Sequence, residues 1–153
     1  MFKTVASPLV LESLKQRLGA LSVDTPRRWG TLSAHAMLCH LGDAGEMALG
    51  IRPRWNQVSL RRKPLTKAIA LWSPVRWPHG WRTNPDQDPN RNGTKPSEFA
   101  ADRARVILGL EQLAEAHAST LEPAHGVFGL MSVTDWQRWA FKHVDHHLRQ
   151  FGL

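Results

Sequence analysis

The stretch Lys142-His143-Val144-Asp145-His146-His147-Leu148-Arg149-Gln150 holds three of the chain's eight histidines. On a helix, residues four apart share a face, so His143 and His147 are spaced to bind one metal ion together. Gln150 falls on nearly the same face, while His146 turns about 60° away from it. Spacing alone is weak support, because eight histidines in 153 positions give roughly 0.4 such pairs by chance. The plainer alternative is a pair of imidazoles interacting with the negative end of a helix.

His40 adds weight to the metal alternative. It stands in Met37-Leu38-Cys39-His40-Leu41, and on a helix its face would carry Met37, Leu41 and Ala44. An imidazole on an apolar stripe needs a partner once buried. Asp43, one turn on, could be that partner in an ordinary core. Alternatively His40 is a third ligand reaching His143 and His147 from a facing helix, as metal sites in helical bundles are built. Asp43 would then be an outer group or hold a water. Cys39 points about 100° away from His40 and reads as a small buried hydrophobe.

Four amphipathic helices are expected to position these residues. The first starts at Ser7-Pro8, a capping hydroxyl followed by proline, and carries Leu11, Leu14, Leu18 and Leu21. The second runs over 33–49, from the Ser33 cap to the Gly50 stop. The third covers about 97–119, with Val106, Leu110, Leu113 and Ala114 on one face. The fourth opens on Ser132-Val133-Thr134-Asp135, a capping box with aspartate in the acidic position, and runs to about Gln150. Trp136 and Trp139 are expected to pack in its core face. No strand is expected and no internal repeat is present. The fold class is all-α, a four-helix bundle in one domain spanning 1–153.

Apolar residues make up 42% and charged residues 22% of the chain, an ordinary globular balance that excludes long disorder. No stretch approaches the roughly 18–20 apolar residues needed to span a bilayer, and no secretory signal is seen. The single cysteine fits a reducing compartment and a cytoplasmic location. Net charge is +7, concentrated in residues 51–96, a long irregular connection between the second and third helices. That connection has ten lysines and arginines against two aspartates, with seven prolines and four of the seven tryptophans. Within it, 65–72 is a candidate short helix.

Trp29-Gly30, Met37-Leu38-Cys39-His40-Leu41, Trp77-Pro78-His79-Gly80, His125-Gly126-Val127-Phe128-Gly129 and the C-terminal His-x-x-His-His-x-Arg-Gln pattern at 143–150 together resemble the DinB-like (DinB/YfiT) superfamily. The closest likeness is to a bacterial branch known only as a domain of unknown function. The resemblance implies a four-helix bundle of up-down-down-up order and a metal site of three histidines. Matched residue by residue, the ligands would be His40, His143 and His147. It also implies a divalent transition metal, zinc or nickel foremost. Some relatives use such a metal in thiol transfer with low-molecular-weight thiols, which would make a small-molecule thiol a partner. The basic, tryptophan-rich connection is an elaboration that many relatives lack.

Three imidazoles leave a coordination position for water or substrate, the pattern of catalytic metal sites. The expected function is therefore a metal-dependent thiol transferase or hydrolase, with Asp43 and Gln150 as the nearest candidates for a catalytic role. The alternative is a non-enzymatic protein that uses its basic connection on nucleic acid or an anionic membrane surface. Arg52, Arg54, Arg61, Arg62, Lys63, Lys67, Arg76 and Arg82 interleaved with tryptophans would suit phosphate contact and base stacking. The absence of a recognised nucleic-acid motif favours a connection whose tryptophans pack over the bundle and wall the metal pocket. A homodimer is left open.

Overall fold

A computed structural model describes residues 2–53, 64–81 and 83–153. Among them are five helices: α1 (Pro8–Ala20), α2 (Ala34–Ala48), α3 (Pro64–Trp72), α4 (Phe99–Ala114) and α5 (Val133–Gln150). The fold is mostly helical. One two-residue pair, β1 (Ala124–His125) and β2 (Gly129–Leu130), forms an antiparallel hairpin where no strand was expected. Two residues per strand carry too little alternation to be legible as a period.

The four longer helices match the expected ones, with differences at their ends. Ser33 caps α2 through a bond from the Ala36 N–H, and Gly50 ends it at φ +69°, a conformation that costs glycine least. Ser132 and Asp135 cap α5 reciprocally. Helix α4 is capped by Glu98, whose carboxylate accepts from the Ala100 and Ala101 N–H groups. It therefore starts two residues later than Ser97 would place it, and it ends at Ala114, beyond which Ala118–Thr120 forms a 3₁₀ turn. Ser7 makes no side-chain cap bond, so the start of α1 rests on Pro8.

Helix α2 is central: all but three of its residues are buried. It packs most extensively on α4 and also meets α5, while α1 packs on α4 and α5. Leu14, Leu18, Met37, Leu38, Leu113, Trp136 and Leu148 close the core between them. Each fully buried Leu or Met contributes about 1.5–3 kcal/mol by leaving water.

The described parts of the connection are fastened to these helices by polar anchors. Arg52 donates to Glu46 at 2.5 Å and to Thr94 at 2.8 Å. Thr94 in turn donates its N–H and hydroxyl to Asp43, at 2.7 and 2.6 Å. Helix α3 lies against α5, where Lys67 and the Trp72 indole N–H both donate to Asp135. The buried Arg138 donates to the Leu71 carbonyl at 2.6 Å and the Lys3 carbonyl at 2.7 Å. Trp55, Arg54, Arg61, Arg62, Lys63 and Arg82 lie outside the described residues.

Asp135 thus serves two tasks, capping α5 and holding α3. Burial alone would raise its carboxyl pKa, but the bonds from Lys67, Ser132 and Trp72 outweigh burial and hold it below its usual range. Asp135→Ala removes the cap and leaves two donors without their acceptor. It is expected to lower unfolding free energy by about 2–4 kcal/mol in urea titrations.

Candidate metal centre

His40 stands on the buried face of α2, and His143 and His147 project from α5 one turn apart. Their ligand atoms all lie within 4.8 Å of one another. The His40 and His143 Nε2 atoms are 3.0 Å apart, and the His147 ring centroid is 4.8 Å from that of His40 and 4.9 Å from that of His143. His40 and His147 are buried, and His143 is half-buried.

The outer nitrogens decide what the inner ones offer. His40 Nδ1 is 2.9 Å from the Gln87 carbonyl, which only accepts, so this nitrogen carries the proton and Nε2 presents a lone pair. His147 Nδ1 donates to Gln150 Oε1 at 2.7 Å, with the same result. Gly30 makes room for that amide: its φ is +88°, and a Cβ there would stand 2.8 Å from Gln150 Nε2. Two imidazoles from different helices are thus oriented by outer partners in the manner of metal-ligating histidines.

Burial is the main cause lowering the pKa of all three rings. For His40 the Gln87 bond opposes it. His143 and His147 fall well below the ordinary imidazole range, pushed further by the neighbouring histidines. All three are therefore neutral at pH 7, the form that ligates. Facing lone pairs in a buried space call for a shared proton or a cation. The donor set fits a divalent transition ion.

The three rings border a cavity of about 850 Å³. Trp77 walls it, with its ring centroid 5.9 Å from that of His143 and 6.0 Å from that of His146. Trp139 lies 4.8 Å from His143, centroid to centroid. Trp29 lies behind the His146 wall, stacked on His79 at 3.8 Å and edge-on to His146 at 4.9 Å. Arg76 and Arg91 also line the space. Burial, and Arg149 after it, lower the His146 pKa to about 4, and its buried Nδ1 has no hydrogen-bond partner among the described residues. His146 belongs to the cavity wall, outside the triad.

Asp43 is placed differently from its expected role. Its fully buried carboxylate is taken up by Thr94, by Arg105 at 3.0 Å and by Arg52 at 3.1 Å. It fastens the two ends of the connection to α2, and the His40 partner is the Gln87 carbonyl instead. Gln150 is where an orienting group should be, on His147. His125 accepts from the Val127 N–H at 3.0 Å, a bond that stabilises its turn. A second cluster was not anticipated: His35 and Cys39 on α2 meet Asp102 on α4. The spacing of four between His35 and Cys39 is the signal that could have found it.

No family model matches the chain, and no curated protein or solved structure does either. The DinB-like likeness rests on the motif residues alone.

Alanine at His40, His143 or His147 should reduce zinc affinity far more than His146→Ala, and Gln150→Ala should reduce it about 10–100-fold, as read by competition with a chromophoric chelator. Metal-free protein should lose stability as the pH falls below the ordinary histidine value of 6.5. There the unfolded chain binds protons that the buried rings refuse, so the stability present above that pH declines toward the lower folded pKa values. Urea midpoints between pH 7.5 and about 5 should fall less steeply for His143→Leu than for the wild type.

Proposed function

We propose that the protein is a metal-dependent enzyme of the DinB-like kind, a thiol transferase or hydrolase acting on a small molecule, with His40, His143 and His147 as ligands of one zinc-like or nickel-like ion. On this reading α1, α2, α4 and α5 form the four-helix bundle of up-down-down-up order. The long connection between α2 and α4 supplies the length that such a crossover needs. The observation that carries the reading is the convergence of three neutral imidazoles, two of them oriented by outer partners, on the edge of a cavity large enough for a small substrate.

A divalent ion bound there supplies Lewis-acid polarisation and a lowered pKa for a coordinated water or thiol. The chain's own groups prepare that chemistry. The Gln87 carbonyl and Gln150 hold the ligating tautomers, and Trp77, Trp139 and Phe128 keep the surroundings apolar. Arg76 on the cavity wall favours a substrate with an anionic group, such as a carboxylate, while Arg91 is paired there with Asp88 at 3.7 Å.

The described part of the basic connection supports a pocket wall more than a free cationic surface. Arg52 and Lys67 are bonded to Glu46 and Asp135, and Lys95 donates to the Pro89 and Arg91 carbonyls. The indoles of Trp72 and Trp77 donate to Asp135 and to the Ala70 carbonyl. Among the described residues no helix is long and apolar enough to cross a membrane.

Elemental analysis of untagged protein tests the reading. Wild type reloaded with zinc or nickel should carry one more equivalent of metal per chain than His143→Ala. That difference should be matched by metal-dependent consumption of a low-molecular-weight thiol with an electrophile, or by metal-dependent ester hydrolysis. Equal metal content in the two proteins would refute the assignment.

A further inference from the structure

We infer a second divalent-metal site at the interface of α2 and α4, formed by His35, Cys39 and Asp102. It is separate from the three-histidine centre and does not depend on the function proposed for it. His35 and Cys39 stand one turn apart on α2, and Asp102 lies in the first turn of α4. Their ligand atoms, one nitrogen, one sulfur and one oxygen, all fall within 4.8 Å of one another.

The contacts focus on a single oxygen. Asp102 Oδ2 is 2.8 Å from His35 Nε2, 3.5 Å from Cys39 Sγ and 3.5 Å from the Ser97 nitrogen. Among the described residues Asp102 has no lysine or arginine ion pair, although it is 7% exposed. Without a metal the carboxylate is held by the His35, Cys39 and Ser97 donors, which keep its pKa below the usual carboxylate value against burial, and a bound cation would take over that compensation. On binding, the thiol proton passes to solvent, and the thiolate and carboxylate together balance a divalent charge. Nitrogen, sulfur and oxygen donors in one set suit a borderline ion of the zinc type.

Access is on the outer side. Cys39 is sealed, whereas the side chains of His35 and Asp102 keep 15% and 10% exposure, so the cluster meets solvent on that side. The Phe99 ring stands edge-on to His35 at 5.3 Å and shields the rest. Cys39 and His40 are consecutive, so α2 would serve two metal sites from adjacent residues that point to different faces.

Cobalt(II) titration of the full-length, metal-free protein tests the site. A cobalt–thiolate bond gives a charge-transfer absorption that imidazole and carboxylate ligands do not, and the chain has one cysteine. Wild type should develop this band to saturation at one equivalent per chain, and His143→Ala should retain it. Cys39→Ser should lack it while keeping its helical circular dichroism. Asp102→Asn should weaken the affinity read from the band at least ~10-fold, since losing a ligand costs no less than losing a ligand's orienting partner. Absence of the band in folded wild type equilibrated with excess cobalt overturns the inference. So does a band that disappears in His143→Ala but is unchanged in Asp102→Asn.

Discussion

Three uncharged imidazoles pressed together in a low-dielectric interior are the constraint to which the surrounding structure answers. Each ring has two nitrogens, and burial is tolerable only if the outer one is bonded and the inner one has something to face. The Gln87 carbonyl meets this need for His40, and Gln150 meets it for His147. Gln87 can do so only because the connection is drawn across α2, and Gln150 only because Gly30 leaves space beside it. The neutral state of the rings follows from the same burial, which penalises imidazolium and leaves the lone pairs for a cation.

The polar anchors are best understood as what keeps the connection in that place. Asp43 joins the two ends of the connection to α2 through Arg52 and Thr94, with Arg105 of α4 bonded to the same carboxylate. Asp135 does the equivalent on α5 by holding Lys67 and Trp72. Arg138 reaches α3 and the N-terminal segment through backbone carbonyls. These buried charges are satisfied by several partners each, which makes them specific fasteners, since a half-satisfied buried charge is strongly unfavourable. With the strap so tied, Trp77 comes to rest against His143 and His146 as a wall of the cavity. The segment's basic composition is therefore partly a record of internal bonding.

Helix α2 concentrates the chemistry. Being buried on nearly every side, it presents His40 toward α5, and Cys39 and His35 toward α4. A helix surrounded by neighbours can place donors on several faces, so the adjacent residues Cys39 and His40 belong to different side-chain clusters. Cys39 is a packed core residue, as its surroundings led one to expect, and it is also in contact with a carboxylate that the sequence leaves more than sixty positions away.

What the sequence determined by itself is local. Ser33, Gly50, the Ser132–Asp135 box and the leucine spacing of α1 set three helices nearly to their ends, because capping and periodicity act within a turn or two. The His143 and His147 pairing was legible for the same reason: one helical turn brings them together. His40, the third member of the cluster, was legible only as an imidazole on an apolar stripe. Its position opposite the pair, its bond to Gln87, the engagement of Asp43 with arginines and the meeting of Asp102 with Cys39 were decided by tertiary packing. Those contacts join residues 47 to 103 positions apart. Their partners are chosen by which helix faces are buried against one another, and no local spacing encodes that choice.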